Sequence, residues 1–270
     1  MTQKRAGFAD VNGTRLSYEV IGAGPAVALL HGFALDGRMW DDQVEALARQ
    51  GYRVVRYDAR GFGRSAPPTA EPYAPADDLK ALLTHLGIAY ACIVGLSMGG
   101  RVAVEFAIAY PDATDALIAV DSGLSGCPNP PALRAFYGSV SSRAREEGLE
   151  RAREAWLAGP LFGPARERPD VASRLTRIAS DYSGWHWTHA DPSRAPSPPA
   201  VQRLGEIQAP TLAVVGALDI PYFHTVADAL FEGVPDACKA VVPGAGHLCN
   251  MEAPAAFNKL VLDFLSEIFP

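Results

Sequence analysis

ACIVGLSMGGRVAVEFAIAY, residues 91–110, is the stretch that decides the fold. Its opening run, ACIVG (91–95), is continuously apolar and predicts a fully buried strand. GGRVAVEFAIAYP (99–111) predicts a helix that stops at its proline. Between them lies one serine in the spacing Gly95-x-Ser97-x-Gly99. A tight strand-to-helix turn strains the backbone at its central residue and needs small neighbours where strand and helix approach. Such a turn lifts the Ser97 hydroxyl above the carboxyl edge of a sheet, with the positive end of a helix behind it. By itself the motif also fits a loop of small residues, so the surrounding chain has to decide.

Outward from this stretch the same rhythm repeats. GFADVNGTRLSYEV opens the chain with two alternating runs around Asn12-Gly13, a hairpin signal. Short apolar runs then predict buried strands at AVALL (26–30), RVVRYD (53–58), ALIAVD (116–121), TLAVVG (211–216) and KAVVPG (239–244). Helical patterns separate most of them: DDQVEALARQG (41–51), DDLKALLTHLG (77–87) and a closing amphipathic helix, EAPAAFNKLVLDFLSEIF (252–269). Buried strands alternating with helices predict an α/β fold, a mostly parallel eight-stranded sheet with helices on both faces. Residues 125–208 break the rhythm. They hold eleven arginines, no lysine and no buried strand, and end in a segment dense in proline and aromatics. The expected organisation is a core of residues 1–124 and 209–270 with 125–208 inserted between core strands.

The 270 residues are 49% hydrophobic and 20% charged, which allows a sizeable core and argues against disorder. A net charge of −6 argues against nucleic acid or an anionic membrane as a partner. No apolar run of about 18 residues occurs, and MTQKRAGFAD carries no apolar segment, so neither a bilayer span nor a secretory signal is expected. The four cysteines, Cys92, Cys127, Cys238 and Cys249, show no disulfide framework and read as reduced thiols of a cytoplasmic protein. His186 and His189 form an HxxH pair without a third ligand nearby, so no metal and no cofactor is expected.

A serine nucleophile needs a base, and the base needs a carboxylate. His247, in the glycine-rich loop GAGH after the last strand, can reach back over the sheet edge. Asp219, at the end of TLAVVGAL, stands beside it; Asp121, ending ALIAVD, is the rival acid. Asp36 and Asp58 read as structural, Asp58 pinning the loop after its strand. An oxyanion needs two backbone N–H donors. Met98, after the serine, supplies one, and Phe33, in LLHGF, supplies the other. His31 reads as a brace for that loop at the edge of the pocket.

HGFALDGRMW, YDARGFGRS, GLSMGG, GALD and GHLCNMEAP, in this order, resemble the motifs of the α/β-hydrolase fold superfamily over nearly the whole chain. Within its serine hydrolase branch the sequence is similar to 3-oxoadipate enol-lactonases, small carboxylesterases and cofactor-free perhydrolase-type enzymes. The resemblance implies Ser97, Asp219 and His247 as a triad, Phe33 and Met98 as the oxyanion hole, and residues 125–208 as a helical cap. Dehalogenases and epoxide hydrolases carry an aspartate where this chain has Ser97. Trp156, Trp185 and Trp187 are the cap aromatics expected at the pocket, and a buried cap arginine near Ser97 would hold a substrate carboxylate. The expected activity is hydrolysis of a small-molecule ester of small to medium acyl chain, with no partner macromolecule and an oligomeric state left open between monomer and dimer. An enol-lactonase, C–C hydrolase or perhydrolase is the alternative, and a ligand receptor retaining the triad is a third reading.

Overall fold

A computed structural model describes residues 4–269. Asn12 and Gly13, both at positive φ, join β1 (Lys4–Val11) to β2 (Thr14–Ile21) in a two-residue hairpin, with Val11 opposite Thr14. β3 (Ala26–Leu30), β4 (Arg53–Tyr57), β5 (Ala91–Leu96), β6 (Thr114–Val120), β7 (Thr211–Gly216) and β8 (Ala237–Val242) complete one sheet in the order β1-β2-β4-β3-β5-β6-β7-β8. The β1–β2 and β2–β4 pairs are antiparallel; the other five pairs are parallel. The central strands β3, β5 and β7 are buried at every residue, which is why they read as unbroken apolar runs. β8 departs from that expectation. It begins two residues earlier than predicted and buries only Val242 fully, because it is the edge strand and has a neighbour on one side only.

α1 (Asp41–Arg49), α2 (Pro75–His85) and α3 (Met98–Ala109) are the crossovers of the first half. Between β6 and β7 the chain forms α4 (Pro131–Glu146), α5 (Leu149–Leu157), α6 (Gly163–Arg166), α7 (Pro169–Asp181) and α8 (Trp185–Thr188), joined by short 3-10 turns. These helices lie against the loops at the carboxyl edge. Phe33 meets Tyr137, Trp156, Tyr182 and His186 edge-on, with ring centroids 5.6 to 6.5 Å apart. Arg174 pairs with Asp42 at 2.6 Å, and Arg168 donates to the Gly244 carbonyl at 2.7 Å.

α9 (Pro221–Gly233) crosses to β8, and α10 (Cys249–Glu252) and α11 (Pro254–Ile268) close the chain. The closing helix expected over 252–269 is α11, which starts two residues later, and the separate short turn of α10 precedes it. Pro254 drives Ala253 out of the helical region, to φ −138 and ψ 58, and the axis breaks there. Among the described residues no helix is long and apolar enough to cross a membrane.

Candidate active site

Ser97 lies between β5 and α3 at φ 56, ψ −109, a left-handed conformation that a serine rarely adopts. Hydrogen bonds hold it there from both sides. Its N–H donates to Val120 O at 2.9 Å, and its carbonyl accepts from Arg101 and Gly123 N–H at 3.0 Å. The two flanking glycines are steric necessities. A Cβ on Gly95 would lie 2.1 Å from Gly99 O, and one on Gly99 would lie 2.3 Å from Leu30 O. Strand, turn and helix thus touch backbone to backbone.

His247 is buried, and its Nδ1 meets Asp219 Oδ2 at 2.8 Å. Asp219 Oδ1 accepts from Ile220 N–H at 2.7 Å, so both carboxylate oxygens are engaged. With Nδ1 donating to Asp219, the imidazole presents Nε2 as its base. Phe223 packs on the His247 ring, 4.3 Å between centroids. Glu252 holds the loop, accepting from Gly246 N–H at 2.7 Å and Leu248 N–H at 3.1 Å on either side of His247. Neither role was legible from the residues around His247, since Phe223 lies on α9 and Glu252 reaches back across a turn.

The Phe33 and Met98 N–H groups are taken up by no other group among the described residues. His31 braces the loop between them. Its Nδ1–H donates to Gly32 O at 2.8 Å and its Nε2 accepts from Ala59 N–H at 3.0 Å, so both ring nitrogens are used and the ring is neutral. Asp58 accepts from Gly37 and Arg64 N–H, each at 3.0 Å, and Asp36 caps Arg38 N–H at 2.9 Å.

Ser97 opens on two spaces. A narrow gap, with room for about one water molecule, is lined by Ser97, His247, Phe33, Tyr137, Trp156 and Phe162. A cleft of about 610 Å³ runs past Ser97, Met98, Arg101, Cys127, Trp187 and Tyr222. A third space adjoins it behind Phe33 and His186 and takes in His31. Trp156 and Trp187 therefore face the site. Trp185 does not. It stacks flat on His189, 5.1 Å away and 2° from parallel, because residues two apart on the single turn of α8 point about 200° apart. No arginine of residues 125–208 is among these linings, so the insertion supplies no carboxylate-binding arginine of the kind that an enol-lactonase would need. Arg145, Arg153, Arg166 and Arg168 instead donate to backbone carbonyls and staple the insertion. The arginine that does line the cleft is Arg101, from the core helix α3.

Comparison with known proteins agrees with this architecture. Residues 27–260 match the sequence model described as the alpha/beta hydrolase family. The chain is 30% identical over 268 residues to a putative carbamate hydrolase RutD of Caulobacter sp. (strain K31), covering 92% of this chain and 95% of that one. Its structure is similar to the enol-lactonase of Burkholderia xenovorans LB400, with a TM-score of 0.79, 28% identity, and 96% and 100% of the two chains covered. The malate-bound thermophilic esterase of Thermogutta terrifontis gives a TM-score of 0.79 at 27% identity, with 98% and 100% covered.

Proposed function

The chain belongs to the alpha/beta hydrolase family, and from that premise we propose that it hydrolyses carboxylic esters of small to medium acyl chain through an acyl-enzyme on Ser97. The observation that carries the reading is Ser97 at φ 56, lining one narrow gap with a His247 whose other side is bonded to Asp219. In this mechanism His247 Nε2 takes the Ser97 proton as Oγ attacks the carbonyl carbon. The oxyanion is held by the N–H groups of Phe33 and Met98. Asp219 stabilises the imidazolium, which protonates the leaving alcohol. Water, deprotonated by His247, then releases the acid and restores Ser97. Residues 125–208 act as the cap, with Trp156 closing the small acyl side and Trp187 the wider cleft. The gap that Tyr137, Trp156 and Phe162 leave beside Ser97 is narrow, which favours short acyl chains. Hydrolysis of p-nitrophenyl butyrate tests the proposal. Ser97→Ala should lower kcat by about 10⁶-fold, and unchanged turnover would reject the nucleophile.

One observation favours a narrower substrate. Arg101 lines both larger spaces one turn beyond Ser97, and its nearest carboxylate, Glu105, lies 3.4 Å away. Burial pushes the Glu105 carboxyl above its ordinary range, so it neutralises Arg101 weakly. Arg101 is then free to fork onto a substrate carboxylate, as a dicarboxylic half-ester or an acidic enol-lactone would provide. Arg101→Met should cut kcat/KM for a half-ester by about 10–100-fold and leave the neutral ester within about threefold. Equal losses on both substrates would remove this reading.

A further inference from the structure

Asp121 has no part in the steps above, yet it is the most deeply held carboxyl group near them. It follows β6 at φ 40 and is fully buried. Its N–H donates to Val214 O at 2.8 Å, and its Oδ1 accepts from Gly216 N–H at 2.8 Å. The side chain is thereby pinned between β6 and β7. Among the described residues the remaining oxygen, Oδ2, has no donor at hydrogen-bond distance, with the Cys249 thiol and the Asp219 carboxylate as its polar neighbours. Carboxylate oxygens of Asp121 and Asp219 and a ring nitrogen of His247 all lie within 4.8 Å of one another.

Two carboxylates at this distance in a dry site cannot both be charged. The distribution of donors decides which one keeps the proton. Asp219 accepts from the Ile220 N–H and from His247, one donor on each oxygen. Asp121 has one amide donor and complete burial. Burial first, and the Asp219 charge second, push the Asp121 carboxyl well above its ordinary range. The other titratable groups packed here do not change the outcome. The Cys249 thiol, held neutral by burial, favours the charged form of Asp121 but is outweighed by burial and the Asp219 charge, and Glu252 is engaged by two backbone N–H groups.

We propose that Asp121 is a protonated positioning residue whose Oδ2–H donates a hydrogen bond to the Asp219 carboxylate and fixes it, and through it His247, in working geometry. This rests on reading Ser97, His247 and Asp219 as the reacting group. The proton stays on Asp121 throughout the cycle; the protons that move pass through His247, from Ser97 or water and on to the leaving group. Asp219 has only the Ile220 N–H and His247 as partners, and a further donor from Asp121 would hold its carboxylate more firmly against rotation.

Infrared difference spectra of the wild-type protein against Asp121→Asn at neutral pH read the proton directly. The wild type should show the carbonyl stretch of a protonated carboxylic acid that Asp121→Asn lacks; its absence overturns the proposal. In turnover, Asp121→Ala should lower kcat about tenfold, and Asp121→Asn, which still offers a neutral donor, should recover to within about threefold of wild type. Equal falls in both variants overturn the donor role. Because Asp121 acts through Asp219, the penalty of Asp121→Ala should shrink to less than about twofold in an Asp219→Asn background, and a persisting tenfold fall overturns the coupling. The infrared band does not depend on turnover. Should Ser97→Ala retain activity, the triad reading fails while the protonation of Asp121 is judged separately.

Discussion

The elbow at Ser97 and the helical insertion above it face the same cavity, and they are built by opposite means. The elbow is made of backbone. Gly95 and Gly99 leave no room for a methyl group, and main-chain hydrogen bonds to Val120, Arg101 and Gly123 hold a strained serine. The insertion is made of side chains. Trp156, Phe136, Tyr137 and Phe162 form an aromatic cluster with centroids 5.3 to 5.8 Å apart, and arginines tie its helices to carbonyls. Backbone contacts admit one residue type, whereas interdigitated side chains tolerate swaps that conserve volume. In the proposed reading, chemistry is held by the part of the molecule that can vary least, and the pocket wall by the part that can vary most.

That contrast can be broken from either side. The largest effect is expected at the elbow. Gly95→Ala places a methyl carbon 2.1 Å from a carbonyl oxygen, and should cost about 3 kcal/mol or more, a fall in Tm of about 6–12 °C, with loss of nearly all turnover. Calorimetry and the p-nitrophenyl assay read both, and a stable, active Gly95→Ala protein would refute the backbone argument.

The second expectation concerns acid. His186 is stacked on Phe62 with ring centroids 4.2 Å apart and bonded to the Tyr182 hydroxyl at 3.0 Å. Burial pushes it down from 6.5 to about 4; the Asp191 carboxylate, 3.9 Å from Nε2, pulls the other way and loses. The unfolded chain therefore binds a proton that the folded one refuses. The stability this gives is complete above about pH 6.5 and is lost as pH falls toward 4. His186→Phe keeps a flat ring and cannot take up a proton. The wild-type Tm should fall a few degrees further than that of His186→Phe between pH 7 and pH 4, and parallel curves would remove His186 as the cause.

The smallest effect is expected deep in the insertion. Trp156 is 1% exposed and its Nε1–H has no partner among the described residues. Trp156→Phe loses packing volume but also removes an unpaired buried donor, and the two terms oppose each other. Its stability should stay within about 1 kcal/mol of wild type by urea unfolding. A loss of 3 kcal/mol or more would mean that the insertion is packed as tightly as the elbow.

Much of this was legible in the chain because it is written locally. Gly95, Ser97 and Gly99 sit within five residues, the apolar runs of the central strands are continuous, and Asn12-Gly13 specifies its own turn. Other features were misread for equally physical reasons. KAVVPG looks like a central strand, since an apolar run carries no mark of whether a neighbour lies on both sides. EAPAAFNKLVLDFLSEIF places the start of the closing helix two residues too early, because Glu252 belongs to the short turn that Pro254 separates from it. Trp185 and Trp187 are indistinguishable by composition, and only the turn of α8 sends one inward and the other out. Arg101 stands alone on a core helix, outside the arginine-rich insertion, and nothing in its local sequence marks it as facing the cleft.

What the sequence by itself determined is the class of the fold and the elbow, because both follow from short-range sterics and from periodicity. Asp219 and Asp121 were both readable as acids at the ends of neighbouring strands, and no local pattern could rank them by what they do. Only the tertiary structure brings them, 98 residues apart in the chain, onto a single histidine, with Ile220 N–H and His247 on one and Gly216 N–H on the other. Charge in a buried site depends on the whole set of donors and on the water excluded, and that set is assembled only when the sheet closes.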